Sequence, residues 1–128
     1  MVQVIEVDTG VSFTPSQQLR MLWSHPHLHF QGDGIGLRLT DQSAQRQAWT
    51  LQQMIDIGKA EPYQFVFSPE FSIPVAMVAE IEQAVSSPAW PAGSVFAGGI
   101  EPISVEQYRA LSAHGNIAAA DSIPRQRL

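Results

Sequence analysis

No cysteine occurs in the 128 residues, so disulfides, thiolate metal ligands and a cysteine nucleophile are all excluded within them. Lysine is nearly as scarce, with Lys59 its only occurrence. Charged residues amount to 15%, with 7 Lys+Arg against 12 Asp+Glu and a formal net charge of −5. An acidic chain with scattered arginines lacks the electrostatic footprint of a nucleic-acid binder, and its charges form no acidic tail or basic arm. No stretch approaches the ~20 apolar residues of a membrane span. The opening Met1 to Asp8 has no basic region followed by an apolar core, so no secretory signal is expected and a cytoplasmic location is the default. What is abundant is hydrophobic surface, at 45% of residues, which suits a globular chain of one-domain size.

The β-branched residues of Val2 to Val7 predict a first strand. Pro15, with Thr14 as N-cap, predicts a short helix that places Leu19, Leu22 and Trp23 on one side. Leu28 and Phe30, then Ile35, Leu37 and Leu39, alternate as a hairpin around Gly32-Asp33-Gly34, although His25-Pro26 equally suits an irregular loop. Ala44, Ala48, Leu51 and Ile55 mark one stripe of a helix over 41–57, capped by Asp41 and ended by Gly58. Tyr63 to Ser68 reads as an interior strand, apolar on both faces. Pro74 opens a helix carrying Val78, Ile81 and Val85, and Ser86-Ser87-Pro88 stops it. Ser94 to Ala97 is a further strand, closed by Gly98-Gly99. Ser104-Val-Glu-Gln107 is a capping box for a last helix with Val105, Tyr108 and Leu111 on its apolar side. The order predicts an α/β fold whose central strands run parallel through right-handed crossovers, a single domain over 1–116 and a tail over 117–128.

One segment carries candidate chemistry. Glu70 follows directly on a buried strand, and in open α/β sheets ligands gather at the carboxyl ends of strands. A carboxylate there among Phe67, Phe71 and Ile73 would be partly desolvated, which favours its neutral form and suits a general base. Pro69 and Pro74 bracket the loop and limit its freedom. The alternative is an exposed loop carboxylate near a helix start, where negative charge is favourable.

Phe67-Ser-Pro-Glu-Phe-Ser-Ile-Pro74 resembles the segment of the nitrilase (carbon–nitrogen hydrolase) superfamily in which a hydrophobic strand runs into Phe-Pro-Glu, with Ser68 here inserted between Phe67 and Pro69. The preceding helix, the following helix and Val95-Phe-Ala-Gly-Gly-Ile-Glu101 match that family's order, so the resemblance spans residues 41 to 112. It implies part of a four-layer α-β-β-α sandwich, with a central sheet of at least three strands and flanking helices. It implies hydrolysis of a small amide or nitrile through a Glu-Lys-Cys set, with Glu70 as general base. The chain has no cysteine, and Lys59 precedes Glu70 at a helix end, so the lysine and cysteine of the set cannot be placed. The resemblance therefore covers an N-terminal portion: a truncated gene, a split subunit or a degenerate form, inactive alone and needing no cofactor. A non-catalytic interaction or regulatory domain of the same fold is the alternative.

His25, His27 and His29 would share one side of a strand, as a metal site requires, but Pro26 interrupts the ladder and no carboxylate lies within the run; a polar edge is the plainer reading, and no metal ligand is assigned. Gly32-Asp-Gly-Ile-Gly36 lacks the spacing of a phosphate loop and is read as a turn. Trp23, Trp49 and Trp90 are expected in packing, and Glu101 in an exposed turn, with a place on the Glu70 side as the alternative. With only the first half of the sandwich present, Val66 and its strand neighbours would face water. A homo-oligomer, or a missing second half, is the expected partner.

Overall fold

Residues 18–32 and 36–112 are described by a computed structural model of the chain. In chain order they form β1 (Met21–Trp23), β2 (Phe30–Gln31), β3 (Arg38–Leu39), α1 (Asp41–Ala60), β4 (Phe65–Ile73), a 3-10 turn (Val75–Met77), α2 (Val78–Val85), β5 (Val95–Ile100) and α3 (Val105–Ser112). This is a mixed α/β arrangement. β1, β4 and β5 make a three-stranded parallel sheet in the order β1-β4-β5, and β2 and β3 pair separately as an antiparallel two-stranded sheet. The expected strand over residues 2–7, Thr14 and Pro15, and the tail over 117–128 lie outside the described residues.

The register decides what each sheet face carries. Leu22 pairs with Val66 and Val66 with Phe96, so these three share one face. That face packs on the helices. Val66 is fully buried among Leu51, Met54 and Ile55 of α1 and Ile81 and Ala84 of α2, with Leu22 and Phe96 against the same cluster. The rows Met21–Phe65–Val95 and Trp23–Phe67–Ala97 point to the opposite face. There Trp23 is 69% exposed, Met21 56% and Phe67 39%. The prediction that Val66 would face water is thus corrected: Phe67 and its row take that place, because the helices cover the Val66 side. Leu22 and Trp23 belong to a strand and not to a helix, since their backbone pairs with β4.

α1 departs from its expected outline in three ways. Its N-cap is Thr40, whose hydroxyl accepts from the Ser43 amide, while Asp41 becomes a first-turn carboxylate at the positive end of the dipole. The helix continues through Gly58 to Ala60 and stops before Pro62, at Glu61. Gly58 serves a close approach: a Cβ there would lie 2.9 Å from the Trp90 ring. The buried stripe is Ser43, Gln47, Leu51, Met54, Ile55 and Gly58, rotated from the alanine stripe, because Ser43 and Gln47 hold neighbouring backbone. Of the three tryptophans only Trp90 is packed away, with its indole N–H donating to the Ser94 carbonyl; Trp49 is 68% exposed.

At the other end of the sheet, Arg20 is held to Glu61 at 2.6 Å and lies over the Tyr63 ring, which ties the chain entering β1 to the start of β4. The Glu61 hydrogen bond raises the Arg20 pKa above its usual value. β5 runs on through Gly98 and Gly99 instead of closing before them. The capping box forms in both directions: the Ser104 amide donates to Gln107 Oε1 and the Gln107 amide to Ser104 Oγ. Val105, expected on an apolar side, is 65% exposed, so packing contributes little at the start of α3 and the cap much of its stability. Ser104→Ala is expected to cost about 0.5–1 kcal/mol of helix stability, read as faster amide exchange confined to α3.

Candidate functional site

The carboxyl end of β4 is built as a bulge. Between the paired positions Ser68–Gly98 and Ile73–Ile100, β4 takes five residue steps where β5 takes two. Pro69, Glu70, Phe71 and Ser72 stand opposite Gly99 alone, so the segment bulges out of the ladder. Phe71 sits at φ 58, a left-handed conformation that costs a non-glycine residue on the order of 1–2 kcal/mol. Three hydrogen bonds offset that cost. Ser72 Oγ donates to the Pro69 carbonyl at 2.6 Å, Ser68 Oγ meets Ser72 Oγ at 2.5 Å, and Gln47 Nε2 donates to the Ser72 carbonyl at 2.9 Å. Both serines are fully buried, so each hydroxyl is held in a setting where an unmade bond would be costly.

Gly99 makes room for the bulge. A Cβ on it would stand 2.7 Å from the Glu70 Cα and 2.9 Å from the Phe71 nitrogen. Those are backbone atoms with no rotamer through which to yield. The glycine pair thus has a physical task that a strand-ending signal does not describe. It lets β5 lie directly beside the segment that carries Glu70.

The bulge presents Glu70 to solvent. Its side chain is exposed, with no hydrogen bond or ion pair to another described residue, and Phe71 beside it is 43% exposed. Among the described residues, the expected apolar surround does not close over Glu70: Phe67 and Phe71 are exposed, and Ile73 is buried against the helices. The nearest aromatic contact of the bulge is Phe30 of β2, edge-on to Phe71 at 6.4 Å between ring centroids.

Lys59 sits at the far end of α1. Gln47 of that helix touches the bulge, and Lys59 lies twelve residues on, a separation of about 18 Å along the axis. The lysine is on the amino-end side of the sheet and does not meet Glu70. The segment 24–29 forms no strand, yet His25, His27 and His29 are all exposed while the residues between them are half-buried. Its backbone is fixed by the His29 amide donating to Ser43 Oγ and the Thr40 amide donating to the His29 carbonyl. His27 and His29 stack edge-on at 5.2 Å, but no three His, Asp or Glu side chains among the described residues converge as a metal site needs.

Glu101, expected in an exposed turn, is instead a structural anchor. It is half-buried. Its Oε2 accepts from the Leu39 amide at 3.0 Å and its Oε1 from the Val75 amide at 2.9 Å, while its own amide donates to the Ile73 carbonyl. It thereby locks the β2–β3 ribbon and the start of the 3-10 turn onto β5. Pro74 precedes that turn, so the Val75 amide is the first donor the turn leaves open; this was the available signal. Glu101→Gln turns one accepting oxygen into a donor facing an N–H. It is expected to cost about 1–3 kcal/mol in a denaturant titration and to loosen Leu39 and Val75 first in amide exchange.

Two cavities flank the bulge. An apolar groove of 420 Å³ lies between α2 and β5, lined by Ile73, Val78, Ile81, Val85, Phe96 and Ile100 among others. A more polar one of 370 Å³ includes Arg38, Glu101 and Gln107. Glu70 lines neither. Compared with known proteins, the chain matches no family model, no curated protein and no solved structure. No helix among the described residues is long and apolar enough to cross a membrane.

Proposed function

We propose that this chain is the N-terminal part of a nitrilase-like carbon–nitrogen hydrolase domain, silent by itself, with Glu70 as the general base of the completed site. The observation that supports this reading is Glu70 at the carboxyl end of the central strand of a parallel β1-β4-β5 sheet, held by a braced bulge next to a sheet face that nothing described here covers. In a two-sheet sandwich that face would meet a second sheet, and covering it would remove water from around Glu70. Only then would desolvation tune the carboxylate toward accepting a proton from a nucleophile. The nucleophile and the oxyanion-stabilising cation must come from outside residues 1–128, because there is no cysteine and Lys59 is remote.

The purified chain is expected to show no hydrolysis of simple amides or nitriles above the buffer rate. Turnover that disappears in Glu70→Gln would show that the chain carries a complete site and would overturn the silent-half reading. Glu70, exposed and without a hydrogen bond or ion pair among the described residues, also favours a second reading, a non-catalytic interaction domain of the same fold. The two separate on the reading frame downstream of Leu128. A lysine and a cysteine segment there support the hydrolase, and their absence supports the interaction domain.

A further inference from the structure

The segment that leaves β1 at its carboxyl end keeps a strand's alternation without pairing as a strand. From Trp23 to His29 the odd positions are exposed and the even ones half-buried. The run is pinned at both ends. The Ser24 amide donates to the Phe67 carbonyl of β4 at 3.2 Å. The His29 amide donates to Ser43 Oγ at 2.9 Å, and the His29 carbonyl accepts from the Thr40 amide at 2.9 Å. Ser43 is buried in the first turn of α1, so His29 is fixed to the helix. With Leu28 half-buried between them, His27 and His29 project to the same side.

We propose that His27 and His29 form an open chelating site for a divalent late transition-metal ion, zinc or copper, through one imidazole nitrogen each. Their ring centroids stand 5.2 Å apart. An ion about 2.0–2.1 Å from an imidazole nitrogen lies about 3.2 Å from the ring centroid, so two imidazoles on one tetrahedral ion have centroids about 5.2 Å apart. The pair therefore already has the spacing of the bound state. The rings meet edge-on at 61°. Bringing one nitrogen of each to a common point takes rotation about χ2, a torsion with a broad profile. Among the described residues, neither imidazole is engaged in a hydrogen bond or an ion pair, so no protein partner has to be given up first.

Two protein nitrogens are fewer than the ligands of a structural or catalytic zinc centre, in keeping with the absence of three converging His, Asp or Glu side chains among the described residues. They leave the remaining coordination positions to water or to a donor atom of a bound molecule. Imidazole selects zinc and copper over magnesium and calcium, which prefer oxygen ligands. The net charge of −5 favours the approach of a cation. His25 continues the exposed row, but among the described residues only His27 and His29 of that row are in ring contact. The site uses neither Glu70 nor the open sheet face, so its test and the turnover test are independent.

Isothermal titration calorimetry of the full chain, freed of any affinity tag, with zinc chloride and with copper chloride is the test, and circular dichroism verifies the folding of each variant. One ion per chain is expected, with copper held more tightly than zinc and no binding of magnesium or calcium at the same concentration. His27→Ala and His29→Ala are each expected to weaken binding more than about tenfold, since even the outer-shell partners of metal ligands are worth about 10–100-fold. His25→Ala and His114→Ala are expected to leave it nearly unchanged. The imidazole nitrogen resonances of the parent chain give a readout that needs no variant: on adding zinc, those of His27 and His29 should shift most. Absence of saturable binding overturns the proposal. So does a site that survives His27→Ala or His29→Ala, one lost equally in His25→Ala, or one that takes half an ion per chain and is therefore shared between two copies.

Discussion

Gly99→Ala is expected to lower unfolding stability by about 2–3 kcal/mol, the range of an overpacked core, although it adds a single methyl group at a position that is only half-buried. An alanine in a strand would ordinarily gain from reduced backbone entropy in the unfolded chain. Here that gain is outweighed, since the new Cβ would stand 2.7 Å from the Glu70 Cα and 2.9 Å from the Phe71 nitrogen. Neither atom can move without shifting the bulge. The bulge in turn is braced by Ser72 on Pro69 and by Gln47 on Ser72, so it resists as a unit. The clash should therefore appear twice: as a lower denaturant midpoint with an unchanged slope, and as chemical-shift changes centred on residues 69–72. Gly93→Ala makes the contrast. It has open space around its Cβ but a φ of 78, so its cost comes from backbone strain and should leave the shifts of the bulge unchanged.

Leu51→Ala is expected to cost more, about 2–5 kcal/mol, and to take a large share of the 5–15 kcal/mol that holds a domain of this size together. Leu51 is fully buried at the middle of α1, in the cluster that joins that helix to Val66 of the central strand and to Ile81 and Ala84 of α2. The sheet is covered by helices on one face only, so this cluster is the only extensive apolar core among the described residues. The cavity left by the missing side chain is bounded by β4 and two helices, none of which can close on it without losing its other contacts. A two-state melt should show the loss directly. Trp90 lies in the same cluster and should report it by fluorescence, against the constant signal of the exposed Trp23 and Trp49.

The elements that packing dictates were legible in the residue pattern. Leu51 and Ile55 mark the core side of α1, Phe65 to Ser68 marks an interior strand, and Ser104 with Gln107 marks the start of α3, because each signal is local and follows a fixed period or spacing. What escaped was set by contacts distant in sequence. Ser43 and Gln47 read as polar surface, yet both are buried because they complete the hydrogen bonds of His29 and Ser72. Leu22 and Trp23 lie near a proline that favours a helix start, but pairing with β4, more than forty residues later, makes them a strand. The apolar alternation of β4 told that it is interior but not which face the helices take, and so Val66 and Phe67 were exchanged. The candidate site divides the same way. Glu70 at the end of the central strand follows from sequence order, whereas its openness to solvent and the anchoring task of Glu101 depend on where the β2–β3 ribbon and the bulge come to rest.

The placement of Glu70 in a bulge at the carboxyl end of a parallel strand, directly against β5, is tested most directly by interstrand nuclear Overhauser contacts in solution. A bulge seated on β5 predicts strong contacts from the Gly99 α-protons to the Glu70 α-proton and the Phe71 amide, together with the parallel pattern linking Leu22, Val66 and Phe96. Gly99 contacts that fall elsewhere, or an antiparallel pattern between β4 and β5, would contradict it.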